Sequence, residues 1–274
     1  MKRPLPLRSH RVNTGDSWEE ANELLYGRGW TDGLPVVPPT EARVRAMVEA
    51  SGHDPAEVVA ALAPSYAEAT VEKIAVNAVM AGCKPEYLPV LIAAVKAVAD
   101  PKFNLNAIQT TTNPVGPLLI LNGPVRKKLE VNCGAGCLGP GWRANATIGR
   151  ALRLVLLNVG GAAPGEVDKS TQGMPGKFTF CLGENEEASP WPPLHVERGF
   201  QPSQSTVTAV GAQGTTNLLE LSPRAEDILK TAAVTMRQAG ANNYILALGE
   251  PLLLLNPPHA KAIAGSGLTK DGLK

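Results

Sequence analysis

The chain has 274 residues, 44% hydrophobic and 19% charged, so it can bury a sizeable core and lies outside the composition of disordered chains. Lys and Arg number 26 against 25 Asp and Glu, a formal charge of +1 that offers no bulk field to nucleic acid or to an anionic membrane, and both partners are excluded. Gly (27) and Pro (24) are abundant while aromatics make up 4%, which predicts many tight connections and sites built partly from backbone groups.

Residues 1–16 form a basic tail, MKRPLPLRSHRVNTG and the residue after it. The tail lacks the apolar run of roughly 7 to 15 residues that a secretion signal needs, and no run of roughly 18 apolar residues follows, so the expected location is cytoplasmic. Four cysteines, Cys83, Cys133, Cys137 and Cys181, are too few for a disulfide framework. In a reducing compartment they are reactive, metal-binding or simply buried thiols.

Residues 17–100 read as a helical region. SWEEANELLYGRGW opens on Ser17 with Glu20 three residues on, the capping-box pattern, and runs out at Gly27 and Gly29. TDGLPVVPPT then forbids regular structure and predicts an extended segment across a surface or cleft rim, before Thr40 caps another helix. Val71, Ile74, Ala75, Ala78 and Val79 recur at the spacing of one buried helix face, which Gly82 ends. Pro85 restarts a helix, placing Cys83 and Lys84 at its N-terminus.

Residues 101–200 read as an α/β unit. NLNAIQTTTN and PLLILN are strand-like, and the glycine-rich NCGAGCLGPG leads into a helix over 145–159. Its apolar stripe of Ile148, Ala151, Leu152, Val155, Leu156 and Val159 is widened by Leu154 and Leu157, so the helix is predicted to be central and buried. KFTFC follows as a short strand carrying Cys181, and GENEE as an acidic loop.

Residues 201–274 supply strand STVTAVGAQ, helix SPRAEDILKTAAVTMRQAG with Ser222 as cap and Gly240 as stop, and strands NNYILAL and PLLLLN. PLLILNGPVRK and PLLLLNPPHAK match at Pro, Leu, Leu, Leu, Asn, Pro and Lys, the mark of an internal duplication. The second unit lacks the loop and helix that close the first and reads as truncated. The fold class expected is α/β, with mixed sheet layers flanked by helices, an internal duplication and a helical N-terminal region.

TDGLPVVPPT, AVNAVMAGCKPEYLPVLIAAV, LILNGP, ANATIGRALRLVLLNVGGAAPG and NPPHAKAIA together resemble the bacterial UGSC-like proteins, over most of residues 30–274. That resemblance implies enzyme-like character and a link to thiol–disulfide oxidoreductases and selenoproteins. The segment from which the family takes its name, selenocysteine or cysteine followed by Gly, Ser and Cys, has no counterpart here, since CGAGC is one residue longer.

The glycine-rich loop supplies the leading candidate. Free amides and a helix start would lower the pKa of a thiol placed there, which favours Cys137 as nucleophile, with Gly136, Gly139 and Asn145 holding an anionic substrate. The alternative is close packing with inert cysteines. Cys83 beside Lys84 is the second thiol candidate, against a buried structural role, and Cys181 reads as core. Cys133 and Cys137 as a metal pair lack the usual two-residue gap and a matching second pair, so metal and cofactor stay unassigned.

Glu184, ahead of Glu186 and Glu187, is a candidate general base or hard-metal carboxylate, against a solvated acidic loop. His259 and His195 are candidates to titrate in a cleft, while His10 and His53 read as solvated. Thr111 and Thr112 in QTTTN, and Thr215 and Thr216 in QGTTN, could bind a carboxylate or phosphate or merely cap strand ends.

Three functions remain open: a Cys-dependent hydrolase or lyase acting on a small anionic substrate, a thiol redox protein, and a non-catalytic subunit of a hetero-oligomeric enzyme. A second subunit, identical or different, is expected in any case to cover the second unit. No GxGxxG or Walker motif is present, so nucleotide-dependent versions are excluded.

Overall fold

The computed structural model describes residues 6–238, 240 and 249–274. The chain forms two compact units, one of Met1–Glu184 with Pro202–Gly214 and the other of Asn185–Gln201 with Thr215–Lys274. The fold is α/β with a helical N-terminal region. No helix among the described residues is long and apolar enough to cross a membrane.

The first unit opens with α1 (Trp18–Gly27), whose capping box is formed as the sequence predicts, with Ser17 accepting the Glu20 amide and the Glu20 carboxylate reaching back to the Ser17 amide. Upstream, Glu72 accepts the backbone amides of Arg8 and Ser9 and ties the basic tail to the unit. The proline-rich segment forms no helix or strand, and its polar atoms are met from several sides. Asn22 brackets both backbone groups of Val36, the Val37 amide donates to the Met80 carbonyl, and Arg150 binds Asp32 and the carbonyls of Leu34 and Pro35.

Helix α2 (Glu41–Ser51) leads to a hairpin of β1 (Val58–Leu62) and β2 (Ala67–Thr70), antiparallel to each other. Thr70 then caps α3 (Val71–Ala81), accepting the Lys73 amide, and Gly82 ends it. A single 3-10 turn over Pro85–Tyr87 separates Cys83 from α4 (Leu88–Ala99).

Residues 104–113, expected as a strand, fold instead into α5 (Leu105–Thr110). The Asn104 side chain accepts the Ala107 amide, and the positions that turn inward, Leu105 and Gln109, are one helical turn apart. A local cap outweighs the strand propensity of a short run.

The second sheet has three strands in the order β4 (Cys181–Gly183), β3 (Gly116–Asn122), β5 (Thr206–Ala212), with β4 parallel and β5 antiparallel to β3. Strand β3 is central. Leu118, Leu119, Ile120 and Leu121 are all buried, the continuous apolar run of a strand covered on both faces. After a short helix α6 (Val125–Lys128) the chain forms α7 (Arg143–Asn158), which packs against α3, α4 and β4. Ile148, Ala151, Leu154 and Val155 are fully buried and Leu152 nearly so, as the wide stripe requires. Each of the larger side chains contributes about 1.5–3 kcal/mol of burial.

The second unit holds α8 (Leu194–Glu197), α9 (Ala225–Met236), α10 (Pro257–Gly265) and α11 (Lys270–Leu273), with α9 against α10. Of the strands expected here, residues 242–248 lie outside the described residues. Residues 251–256 have no regular secondary structure and no ladder partner among the described residues, and Leu252 and Leu254 are exposed. Ser222 sits ahead of α9 rather than at its cap; its hydroxyl accepts the Arg224 amide and donates to Asp227.

Candidate functional site

Parallel pairing of β3 and β4, with Leu121 opposite Gly183, brings the carboxyl ends of two strands side by side. Open α/β sheets bind ligands outside that edge, because the strand-to-loop transitions leave side chains and backbone groups there unpaired by the ladder. Asn122 closes β3 and is fully buried. Its Nδ2 donates to the Glu184 carboxylate at 2.5 Å, so the residue following β4 is aimed by the residue ending β3.

Arg126, on α6, is 4% exposed. Its Nε donates to the Gly123 carbonyl at 3.2 Å, and one terminal nitrogen donates to the Glu184 carbonyl at 2.8 Å and approaches Cys133 Sγ at 3.7 Å. The Cys133 thiol itself donates to the Val131 carbonyl, 3.4 Å away. Gly183 makes the room. A Cβ there would overlap Cys133 Sγ and press on Val131, so only glycine lets the sulfur settle against β4.

Asn145 organises the loop from below. Buried in the first turn of α7, it accepts the Asn132 amide at 2.8 Å, and its Nδ2 faces the carbonyls of Asn132, Cys137 and Cys181 at 3.0, 3.1 and 3.3 Å. These backbone partners occupy its amide, which gives Asn145 a positioning role in place of the substrate contact expected.

The expected helix-end thiolate is not built. Cys137 stands in the loop well before Arg143, where α7 begins, because Gly134 to Gly141 close a series of turns of their own. The Cys137 amide donates to the Gly134 carbonyl, the Gly139 amide to the Gly136 carbonyl, and the Gly134 amide to Asn132 Oδ1, so these donors are spent inside the loop. Gly136 and Gly139 are exposed, and Cys137 is half-buried.

Cys83 is 7% exposed, its thiol donating to the Thr147 carbonyl at 3.3 Å, and burial pushes its pKa up to about 12. Burial likewise raises Cys181, with the neighbouring Cys83 and Cys133 adding to the effect. Both are protonated packing thiols at neutral pH, so Cys83 is not at a nucleophile's pKa.

The other expected residues are dispersed. Thr111 follows α5 and accepts the Asn113 amide, and the Thr112 carbonyl accepts the Thr171 amide, so the pair shapes a turn. Thr215 and Thr216 are exposed in the second unit. His259 lies in that unit at the start of α10, where Asn256 caps its amide and its Nε2 faces the Glu220 carbonyl at 3.3 Å. His195 is buried there with Nδ1 3.8 Å from Glu186. No grouping of three or more His, Cys, Asp or Glu among the described residues could hold a metal ion.

No family model, curated protein or solved structure matches the chain. The functional reading therefore rests on the geometry alone. Of the residues singled out in the sequence, Glu184 belongs to this cluster and Asn145 supports it. Asn122, Arg126 and Cys133 join it without a signal of their own in local sequence pattern. One signal lay in the repeat: PLLILNGPVRK carries Arg126 where PLLLLNPPHAK carries Ala260, a cation in only one of two otherwise similar copies.

Proposed function

We propose that the chain is an enzyme, of UGSC-like kinship, in which Cys133 is the nucleophile for hydrolysis of a small anionic substrate. The supporting observation is the meeting of Cys133 Sγ with the buried Arg126 guanidinium, beside a Glu184 carboxylate held by Asn122, at the carboxyl edge of two parallel strands. A guanidinium at that range favours thiolate over thiol. The Glu184 carboxylate takes the Cys133 thiol proton, the thiolate attacks the acyl carbon and forms an S–C bond, and the leaving group departs with that proton. The Glu184 carboxylate then takes a proton from the water that attacks the thioester and passes it to the departing Cys133 sulfur, which releases the acid and restores the starting site.

Alkylation by iodoacetamide at pH 7, followed by peptide mapping, tests the reading. Cys133 is expected to label first, and Arg126→Met, or Arg126→Lys if the former does not fold, to slow it at least about tenfold. Faster labelling of Cys137, indifferent to both substitutions, would overturn it.

A second reading concerns assembly. Leu219, Leu221, Val234, Leu252 and Leu254 of the second unit are exposed, an apolar display that soluble proteins normally cover, and this favours function as part of an oligomer. Mass measurement in solution decides it, with a stable monomer counting against it.

A further inference from the structure

The opposite end of β3 carries a second polar cluster that the thiol chemistry does not use. At about 3.3 Å per residue, Gly116 and Asn122 stand roughly 20 Å apart, so the two clusters are separate. A small pocket opens there between the start of β3, α5, α7 and the 3-10 turn over Pro175–Lys177, lined by Gln109, Gly116, Gly149, Arg153, Lys177 and Phe180 among others. Its interior holds about 10 Å³ of free space, enough for one oxygen-sized atom.

Two of the polar side chains facing this space are cations, Arg153 and Lys177, and the third is the Gln109 amide. Gln109 is 1% exposed, and its Nε2 has no hydrogen-bond partner among the described residues. Arg153, with a side chain 11% exposed, makes one long hydrogen bond, to the Ala162 carbonyl at 3.5 Å, and stands 3.5 Å from the Asp168 carboxylate. Most of its five N–H groups are uncommitted.

The nearby carboxylates are already claimed. Asp168 takes Lys177 Nζ at 2.6 and 2.8 Å along with the Ser170 hydroxyl, and Asp32 takes Arg150 through two bonds of 2.8 Å. Lys177 spends its own donors on Asp168 and Ser170 and contributes charge alone. Arg153 is thus a buried cation whose counter-ion, Asp168 at 3.5 Å, is shared with the closer Lys177. Burial works against its charge and lowers its pKa, while the more distant Asp168 and Asp32 act in the other direction.

We propose that this pocket binds the carboxylate group of a small organic acid, one oxygen entering between the Arg153 guanidinium and the Gln109 amide. A guanidinium presents a planar fork matched to a carboxylate, and the entering oxygen answers the orphaned amide. A water molecule would satisfy Gln109 and add no charge to the Asp168 carboxylate that Arg153 shares with Lys177.

The test uses the full chain, with sodium formate and acetate as probes and sodium chloride and sulfate as controls at constant ionic strength. Formate and acetate are expected to raise Tm saturably and to broaden the 13C signal of labelled formate, the controls to do neither, and Arg153→Met to weaken formate binding at least about tenfold. Gln109→Glu places a carboxylate in the pocket from within, so it is expected to raise Tm and abolish the formate response even if Arg153→Met fails to fold. Absence of saturable binding to the wild-type chain, an equal response to chloride or sulfate, or a formate response retained in Gln109→Glu would each overturn the proposal.

Discussion

Two stretches of nearly the same sequence take different forms. Residues 117–122, PLLILN, are the middle of a sheet, with ladder partners on both sides and every leucine buried. Residues 251–256, PLLLLN, have no regular secondary structure, with no ladder partner among the described residues and two leucines exposed. The residue that follows each Asn decides what comes next. Gly123 adopts φ +79 in a turn where a Cβ would collide with the Gln204 carbonyl, whereas Pro257 takes the first position of α10 with Asn256 as its cap. A left-handed turn admits glycine and excludes proline, and a helix start welcomes proline. Nearly identical apolar letters thus became a core strand in one place and a helix approach in the other.

The comparison can be broken most directly by exchanging those residues. Gly123→Pro is expected to cost more than about 3 kcal/mol, since it forbids the observed φ and drives a ring into backbone, while Pro257→Gly should cost about 1 kcal/mol or less. Urea unfolding of the two variants measures the difference, and equal losses would show that the stretches do not differ as described.

Truncating the leucines sharpens the point. Leu121→Ala, at a fully buried position, should lose about 2–5 kcal/mol, against within about 0.5 kcal/mol for the half-exposed Leu254→Ala in the isolated chain. A larger loss at Leu254 would reveal a covering partner. Asn256→Ala removes an observed cap and should cost about 1 kcal/mol, without touching thiol labelling. Asn122→Ala, its counterpart, should change Cys133 and Glu184 chemistry, because that Asn holds a carboxylate instead of a helix end.

The smallest effect is acid sensitivity. Burial alone would raise the pKa of Asp168, but hydrogen bonds from Lys177 and Ser170 and the Lys177 charge outweigh it and hold the carboxyl below its ordinary value. A depressed folded pKa stabilises above the unfolded value of about 4 and is lost as pH falls below that. Asp227 in the second unit is also depressed, by Arg224 and Ser222, but at an open surface where salt screens the charge. Acid unfolding in 1 M salt should therefore retain the contribution of Asp168 and lose that of Asp227; Asp168→Asn checks the assignment.

Legibility in the sequence followed the range of the forces involved. Helix α7 was readable because its stripe repeats over four turns, and α1 because Ser17 and Glu20 complete a cap three residues apart. Helix α5 was misread because six residues give too short a window to distinguish a period of 3.6 from one of 2. In the site, Glu184 was visible as a carboxylate after a strand. Cys133 was overshadowed by Cys137, since glycine content suggests free amides and says nothing about whether the loop consumes them.

By itself the sequence determined the helical front, the buried central helix, the β3 strand and the cysteine supply, all of which follow from local periodicity, caps and composition. Only the tertiary structure decided which thiol meets a cation, which amide is orphaned beside Arg153, and which copy of the leucine stretch enters a sheet. Those outcomes join residues far apart in the chain, Asn122 with Glu184, Arg150 with Asp32, Gly183 with Cys133. A contact of that kind depends on how complete elements pack, and no window of neighbouring residues contains it.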